Sequence, residues 1–230
     1  MRVTETFKSC QGEGPGIEQP TVFVRFAGCN LAKEGTPCRW CDTPKSQCNQ
    51  GQEYNISQLL ERVKELAKGC RRVCLTGGEP LIQPTIELKD FISELKRFGY
   101  FVEVFTNGTL VPPLTLFRAV DCWVVDIKGP SSTAHIKCNL EGWMRVVRPQ
   151  DMIKFVVADN CDLDYTLMAI DIYQPKAPIS VSPCITSDLL NEPGELARQW
   201  MQRVWEFCVE NNYRFGLQVH KVVFGNKEGV

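Results

Sequence analysis

The chain has 230 residues, 43% of them hydrophobic, and a formal net charge of -1. Such a length and apolar content suit one soluble domain spanning 1–230 with an ample core, and the charge balance leaves no global field to draw the chain to nucleic acid or an acidic membrane. The start, Met1-Arg2-Val3-Thr4-Glu5, lacks the apolar stretch of a signal peptide and no apolar run is long enough for a bilayer, so a cytoplasmic protein is expected.

In chain order, Thr21 to Phe26 is β-branched and aromatic and reads as a strand. Ile56, Leu59, Leu60, Val63, Leu66 and Ala67 share a helical face, with Ser57 near its start. Arg72 to Leu75 is a short strand running into Thr76-Gly77-Gly78-Glu79-Pro80. Leu88, Phe91, Ile92, Leu95 and Phe98 form the next helical stripe, with Gly99 as its cap. Phe101 to Phe105 reads as a strand, Pro113 to Ala119 as a short helix and Cys122 to Ile127 as a strand. Strands over Met152 to Ala158 and Pro178 to Val181 flank a helix near Asp162 to Asp171. Leu196, Ala197, Trp200, Met201, Val204, Trp205 and Cys208 mark the last amphipathic helix, and Arg214 to Val223 reads as a closing strand. This alternation predicts βα units, a mostly parallel sheet and a partial, open (β/α)6-type barrel. Polar and glycine-rich segments follow the strand ends: the loop after Phe26, Gly77-Gly78-Glu79, Thr106-Asn107-Gly108, Asp126-Ile127-Lys128 and Ser182-Pro183-Cys184. In parallel α/β folds such ends build the active site.

Among the 12 cysteines, Cys29, Cys38 and Cys41 stand together after the first strand. In a reducing compartment such thiols are more often metal-bound, buried or reactive than disulfide-linked. Three thiolates fit an iron–sulfur cluster with one iron left open; a zinc site completed by His135 or another cysteine, or a set of buried free thiols, fits the same spacing. The Gly-Gly-Glu-Pro turn favours the cluster: glycines admit close backbone approach and Glu79 suits an ammonium, although an ordinary strand-to-helix turn has the same residues.

Other candidates have plainer readings beside the functional ones. Arg25 on a buried strand suits either a ligand carboxylate or a structural salt bridge. Gln11-Gly12-Glu13-Gly14-Pro15 is a binding loop or just a tight turn. Thr43 is a metal ligand or a cap, and Lys128 a site residue or a solvated loop charge. The remaining cysteines read mostly as small buried hydrophobes. With only His135 and His220, histidine-based acid–base chemistry is not expected, and His220, on an apolar strand, reads as structural.

At the cysteine loop and the Gly-Gly-Glu-Pro turn the chain resembles the radical S-adenosylmethionine superfamily. The first cysteine gap, eight residues, is longer than is usual there, and expanded gaps occur in one branch, the 7-carboxy-7-deazaguanine synthases. The chain resembles that branch throughout: Thr6-Phe7-Lys8-Ser9-Cys10-Gln11-Gly12-Glu13-Gly14-Pro15, Phe23-Val24-Arg25-Phe26-Ala27-Gly28-Cys29-Asn30, Trp40-Cys41-Asp42-Thr43, and the ending from His220 to Val230 with its Gly225-Asn226-Lys227. The resemblance implies a lyase that contracts 6-carboxy-5,6,7,8-tetrahydropterin to 7-carboxy-7-deazaguanine with loss of ammonia. That product is a precursor of queuosine and archaeosine. Cys29, Cys38 and Cys41 would hold a 4Fe–4S cluster and Thr43 would bind Mg²⁺. Trp40, Gly77, Gly78, Glu79, Asn107, Asp126, Lys128 and Ser182 would contact S-adenosylmethionine. Asp126-Ile127-Lys128 replaces the family's Ser-Pro-Lys. Cys10, Gln11, Gly12, Glu13, Arg25 and Thr76 would bind the pterin. A homodimer and an electron donor such as flavodoxin or ferredoxin are implied as well. The alternatives are a glycyl-radical-enzyme activating protein of the same superfamily and a non-enzymatic zinc-binding module.

Overall fold

The computed structural model describes residues 1–185, 194–225, 227 and 229. Asn226, Glu228 and Val230 of the family-like ending lie outside the described residues. Strands β1 (Arg2–Cys10) and β2 (Pro20–Phe26) form an antiparallel pair, and the short β3 (Gln52–Glu53) edges β1. From β2 the sheet continues in parallel through β4 (Arg72–Gly77), β5 (Phe101–Thr106), β6 (Cys122–Lys128), β7 (Met152–Val157), β8 (Ile179–Pro183) and β9 (Arg214–Phe215). The order β3-β1-β2-β4-β5-β6-β7-β8-β9 runs from edge to edge without closing.

Helices α2 (Ile56–Ala67), α3 (Thr85–Arg97), α4 (Leu114–Ala119), α5 (Leu140–Val146), α6 (Asn160–Tyr173) and α7 (Glu195–Asn211) cover one face, while the short α1 (Asn30–Lys33) and α8 (Val219–Phe224) stand at the strand ends. No described helix is long and apolar enough to cross a membrane. Helix α2 starts at a capping box, Asn55 accepting from Gln58 N–H while the Gln58 side chain accepts from Asn55 N–H; the cap is Asn55, two residues before Ser57. Helix α3 buries Leu88, Phe91, Ile92 and Leu95 and stops where Gly99 takes a φ of 78°.

The period-two alternation of the strands divides the interior. Val73, Leu75, Val102, Val104, Trp123, Val125, Ile153, Phe155 and Val181 face the helices and form the main core. Within it Trp123 packs 5.4 Å from Trp143 and 5.9 Å from Phe117, ring centre to ring centre. The opposite face carries a small second cluster, Cys122, Val124 and Met152 with Phe105, that plugs the bottom of the half-barrel. Above the plug that face turns polar.

Two elements differ from the sequence expectation. Arg2–Cys10 is a full strand, where the sequence reading named no element. The strand expected over Arg214–Val223 ends at Phe215. Gly216 donates its N–H to Val181 O at 2.9 Å, and an added Cβ there would meet Ser182 Oγ at 2.2 Å. The chain then leaves the sheet and winds into α8, whose Val222, Val223 and Phe224 are 56%, 63% and 46% exposed. An apolar run this exposed cannot be the buried strand it resembles by composition.

Candidate functional site

One cavity opens at the carboxyl ends of the parallel strands. Its walls are the end of β1 with the loop that follows it, the cysteine loop after β2, the ends of β4 to β8, and α8. Cys29, Cys38 and Cys41 all line it, with Trp40 and Thr43 beside them. All three thiols are free, and burial raises the pKa of Cys29 and pushes Cys38 up to about 11, so neither is primed as a nucleophile. Among the described residues no group of three His, Cys, Asp or Glu is arranged to hold a single metal ion. A cube of four irons takes each thiolate on a different corner and needs no convergence. His135, the suggested zinc partner, instead sits edge-on to Tyr165 with its Nδ1 buried and without a hydrogen bond. The donor set therefore fits an iron–sulfur cluster.

The Gly-Gly-Glu-Pro turn locks onto the cysteine loop. Gly78 N–H donates to Phe26 O at 3.0 Å and Glu79 N–H to Gly28 O at 2.8 Å. A Cβ on Gly78 would lie 1.9 Å from Gly28 O and 2.4 Å from Ser46 O. These glycines are thus required first by protein packing. Gly77 and Gly78 line the cavity; Glu79 does not, being 0% exposed. Its carboxylate accepts from Leu81 N–H (3.0 Å), Thr106 Oγ1 (2.8 Å) and Asn107 N–H (2.8 Å). Three protein donors thus already reach the Glu79 carboxylate, and of this turn it is Gly77 and Gly78 that line the cavity. Asn107 lines the wall and points its Nδ2 at Asn30 Oδ1 (3.0 Å) and at Cys29 Sγ (3.8 Å).

Asp126 and Lys128, successive inward positions of β6, pair at 2.7 Å on the wall. Burial would lower the lysine's pKa, but Asp126 outweighs it and raises it, so Lys128 is a buried cation and not a solvated one. Asp126 Oδ1 is buried without a hydrogen-bond partner. An orphaned acceptor on a cavity wall suits a ligand donor such as a hydroxyl or an amine. Ser182 departs from expectation: it is buried under Gly216 and does not line the cavity, where Cys184 and Ile185 stand instead.

At the other end Cys10, Gln11, Gly12, Glu13, Arg25 and Thr76 line the cavity. The Gln11–Pro15 segment is a tight turn as well as a wall, closed by Gln11 N–H to Gln19 O (2.9 Å) and Glu18 N–H to Gln11 O (2.8 Å). Arg25 Nε donates to Glu5 Oε1 at 2.7 Å across the β1–β2 ladder, while its guanidinium faces the cavity; both readings of Arg25 describe part of it. Thr43 occupies a cap position but makes no side-chain cap bond, and its hydroxyl lies 3.8 Å from Cys41 Sγ.

Four wall residues escaped the sequence reading. Lys154, hidden in the apolar run of β7, pairs with Glu13. Asp42 pairs with Lys221 of α8 at 3.1 Å, and His220 lines the cavity from α8, not from a strand. A lysine centred in an otherwise apolar strand was the available signal for Lys154. Cys10, Cys48 and Cys161 are exposed, against the default of burial.

A family model described as the Radical SAM superfamily matches residues 23–142. The 7-carboxy-7-deazaguanine synthase of Thermoplasma acidophilum is 34% identical over 100% of both chains. That of Methanospirillum hungatei is 33% identical over 97% of this chain and 85% of its own. The crystal structure of QueE from Escherichia coli shares the fold, with a TM-score of 0.65 at 21% identity, covering 95% of this chain and 94% of that one. With a cavity that joins three free thiols to a glycine turn, and with full-length relatives at this identity, the chain belongs to the 7-carboxy-7-deazaguanine synthase family of the radical SAM superfamily.

Proposed function

We propose that this chain is a radical S-adenosylmethionine lyase that converts 6-carboxy-5,6,7,8-tetrahydropterin to 7-carboxy-7-deazaguanine with loss of ammonia, in 7-deazapurine biosynthesis. The observation that carries the reading is that one cavity is lined both by Cys29, Cys38 and Cys41 and by Gln11, Gly12 and Glu13. The proposed cofactor and substrate ends thereby share one cavity. When bound, the 4Fe–4S cluster and S-adenosylmethionine supply the one-electron chemistry that starts the ring contraction.

The chain's own residues bind, orient and shield. Cys29, Cys38 and Cys41 hold the cluster, and Asn107 directs an N–H at the Cys29 sulfur. The backbone of Gly77 and Gly78, Trp40, and the Asp126–Lys128 pair line the cofactor's side. Asp126 Oδ1, which has no protein partner, is the acceptor offered there. On the substrate side, Glu5 holds Arg25 by Nε and leaves its outer N–H groups for a carboxylate, the planar fork suiting a bidentate pair. Thr76 reaches the same space from the end of β4. Thr43 would give Mg²⁺ a hard oxygen beside the substrate carboxylate. The plug of Phe105, Cys122, Val124 and Met152 closes the floor to water. An electron donor of the flavodoxin or ferredoxin kind, a homodimer and a cytoplasmic location complete the reading.

The test is turnover of the tetrahydropterin under anaerobic, reducing conditions by protein with a full iron complement. Formation of 7-carboxy-7-deazaguanine is the expected result; a fully loaded protein that forms none rejects the assignment.

A further inference from the structure

Resting on the pterin reading above, we infer that Glu103, held by Arg72, fixes the hydrogen-bonding polarity of Gln11, so that the site reads an N–H donor on the 2-amino-4-oxopyrimidine half of its substrate. Glu103 is 0% exposed and does not line the cavity. It stands on β5 beneath Gln11, whose Nε2 donates to Glu103 Oε1 at 2.5 Å. The other carboxylate oxygen accepts from Arg72 Nη2 at 2.8 Å. Arg72 is itself held flat against the Phe101 ring, 4.3 Å from its centroid.

Burial raises the Glu103 pKa, but the Arg72 guanidinium pairs with its charged form, and an ionised carboxylate accepts and never donates. Gln11 must therefore turn its amide nitrogen down toward Glu103. The backbone cannot swing away, because Gln11 N–H and O are both tied to the loop's return at Gln19 and Glu18. What remains for the cavity, which Gln11 lines, is Oε1, an acceptor that no described residue engages. The 2-amino group of a pterin is a donor and meets it favourably. A 2-oxo analogue keeps N3–H but puts a carbonyl where the amine stood, lone pair against lone pair. Sites built around a fixed polar partner reject the mismatched analogue far more strongly than sites that merely fit its shape. Glu103 is in this sense a positioning residue: it touches no substrate and acts through Gln11.

The experiment compares 6-carboxytetrahydropterin with its 2-oxo counterpart, by dissociation constant and by steady-state kinetics, in the reconstituted protein and in Glu103→Gln. A glutamine at 103 both donates and accepts, so the Gln11 amide is freed to flip. The wild-type preference for the 2-amino compound is expected to exceed about 100-fold. In Glu103→Gln it falls by about tenfold or more, one lost polar interaction. The change lies in KM and binding, with kcat on the natural compound held within about threefold. Glu103→Gln leaves the Arg72 charge alone in a buried place. The double variant Arg72→Gln/Glu103→Gln, which removes both charges, and Glu103→Asp, which keeps the pair but withdraws the acceptor from Gln11, therefore give the same readout if the single variant melts early. A folded variant with the wild-type preference overturns the inference, as does an equal loss on both compounds or a wild type that does not discriminate. A fully loaded wild type that neither binds nor converts the pterin sinks the proposed function instead.

Discussion

Glu79→Gln separates a ligand-binding glutamate from one that holds the site together. The buried carboxylate accepts three protein hydrogen bonds, two of them from backbone N–H groups on separate strand-end loops. A glutamine keeps one acceptor oxygen. If it sits at the Oε1 position, the bonds from Leu81 N–H and Thr106 survive and an amide N–H₂ faces Asn107 N–H. The reverse orientation strands Leu81 N–H. Either way one charge-assisted hydrogen bond is lost, about 1.5–3 kcal/mol, and a buried donor is left unpaired, about 1–3 kcal/mol. Relief of carboxylate desolvation offsets part of this, so a net loss of about 2–4 kcal/mol is expected, about 4–16 °C in Tm at this chain length. Burial raises the Glu79 pKa against the pull of Asn107, Leu81 and Thr106. A folded pKa above the ordinary 4.5 favours the fold most below that value and less as pH rises through the folded pKa. The stability gap between wild type and the glutamine variant therefore narrows on going from acid toward neutral pH. Anaerobic urea unfolding gives the stability, and titration of the cluster-loaded variant gives its affinity for S-adenosylmethionine. An unchanged midpoint together with a more than about 100-fold loss of S-adenosylmethionine affinity would refute this reasoning and make Glu79 a direct ligand.

Serine at Cys29, Cys38 or Cys41 is expected to abolish the brown anaerobic chromophore and most of the bound iron, with the far-UV spectrum kept; intact iron content in all three would dismiss the cluster assignment. Gly78→Ala, which alters no ligand, should lower iron occupancy severalfold, since its Cβ has only the backbone oxygens of Gly28 and Ser46 to push against; normal loading would show that the turn and the cysteine loop are not rigidly joined. Glu13 is lowered in pKa because Lys154 outweighs burial, and Lys154 is raised because Glu13 outweighs burial. The pair therefore contributes fully between the ordinary values of 4.5 and 10.5 and fades as pH falls through the glutamate's or rises through the lysine's folded pKa. The difference in unfolding free energy between wild type and Lys154→Met should form a plateau across that window, and a flat profile outside it would contradict the pairing. Asn55→Ala, far from the cavity, should cost about 1 kcal/mol by urea unfolding and leave turnover unchanged; a change in kcat would mean that α2 communicates with the site.

The strand-and-helix rhythm was legible because the helix-facing side of each strand is strongly apolar and each helix has a clear stripe. What hid was set by context. Arg2–Cys10 mixes charged and hydroxyl residues with few apolar ones, since one of its faces looks into the cavity and the other is half exposed. Val222-Val223-Phe224 has strand-like chemistry on a helix that lies outside the sheet, where propensity yields to the turn made by Gly216. The cysteines, the glycine turn and the Gln-Gly-Glu loop could be read from local order alone. Lys154 and Asp42 could not, because their meaning lies in Glu13 and Lys221, far away in sequence. Glu79 was legible as important, but residue type reveals only a carboxylate, while the fold reveals that three donors already reach it.

Four ion pairs stand in or beside the cavity wall: Arg25 with Glu5, Lys128 with Asp126, Lys154 with Glu13, and Lys221 with Asp42; Lys227 lines the cavity as well. These pairs join different elements or successive inward positions of one strand, so most of the wall's charge is held in fixed dipoles. Such a wall gains little from long-range attraction, in keeping with the chain's net charge of -1. It holds its donors and acceptors in place before a ligand arrives, and a preorganised polar wall stabilises developing charge without reorganising at the moment of reaction. Recognition then rests on which lone pairs and which N–H groups each pair leaves unused: the outer N–H groups of Arg25, Oδ1 of Asp126 and Oε1 of Gln11. Specificity of this kind is vulnerable at the partner that does the holding. Glu5 and Glu103 are accordingly the places where a substitution that touches no ligand should change what the site accepts.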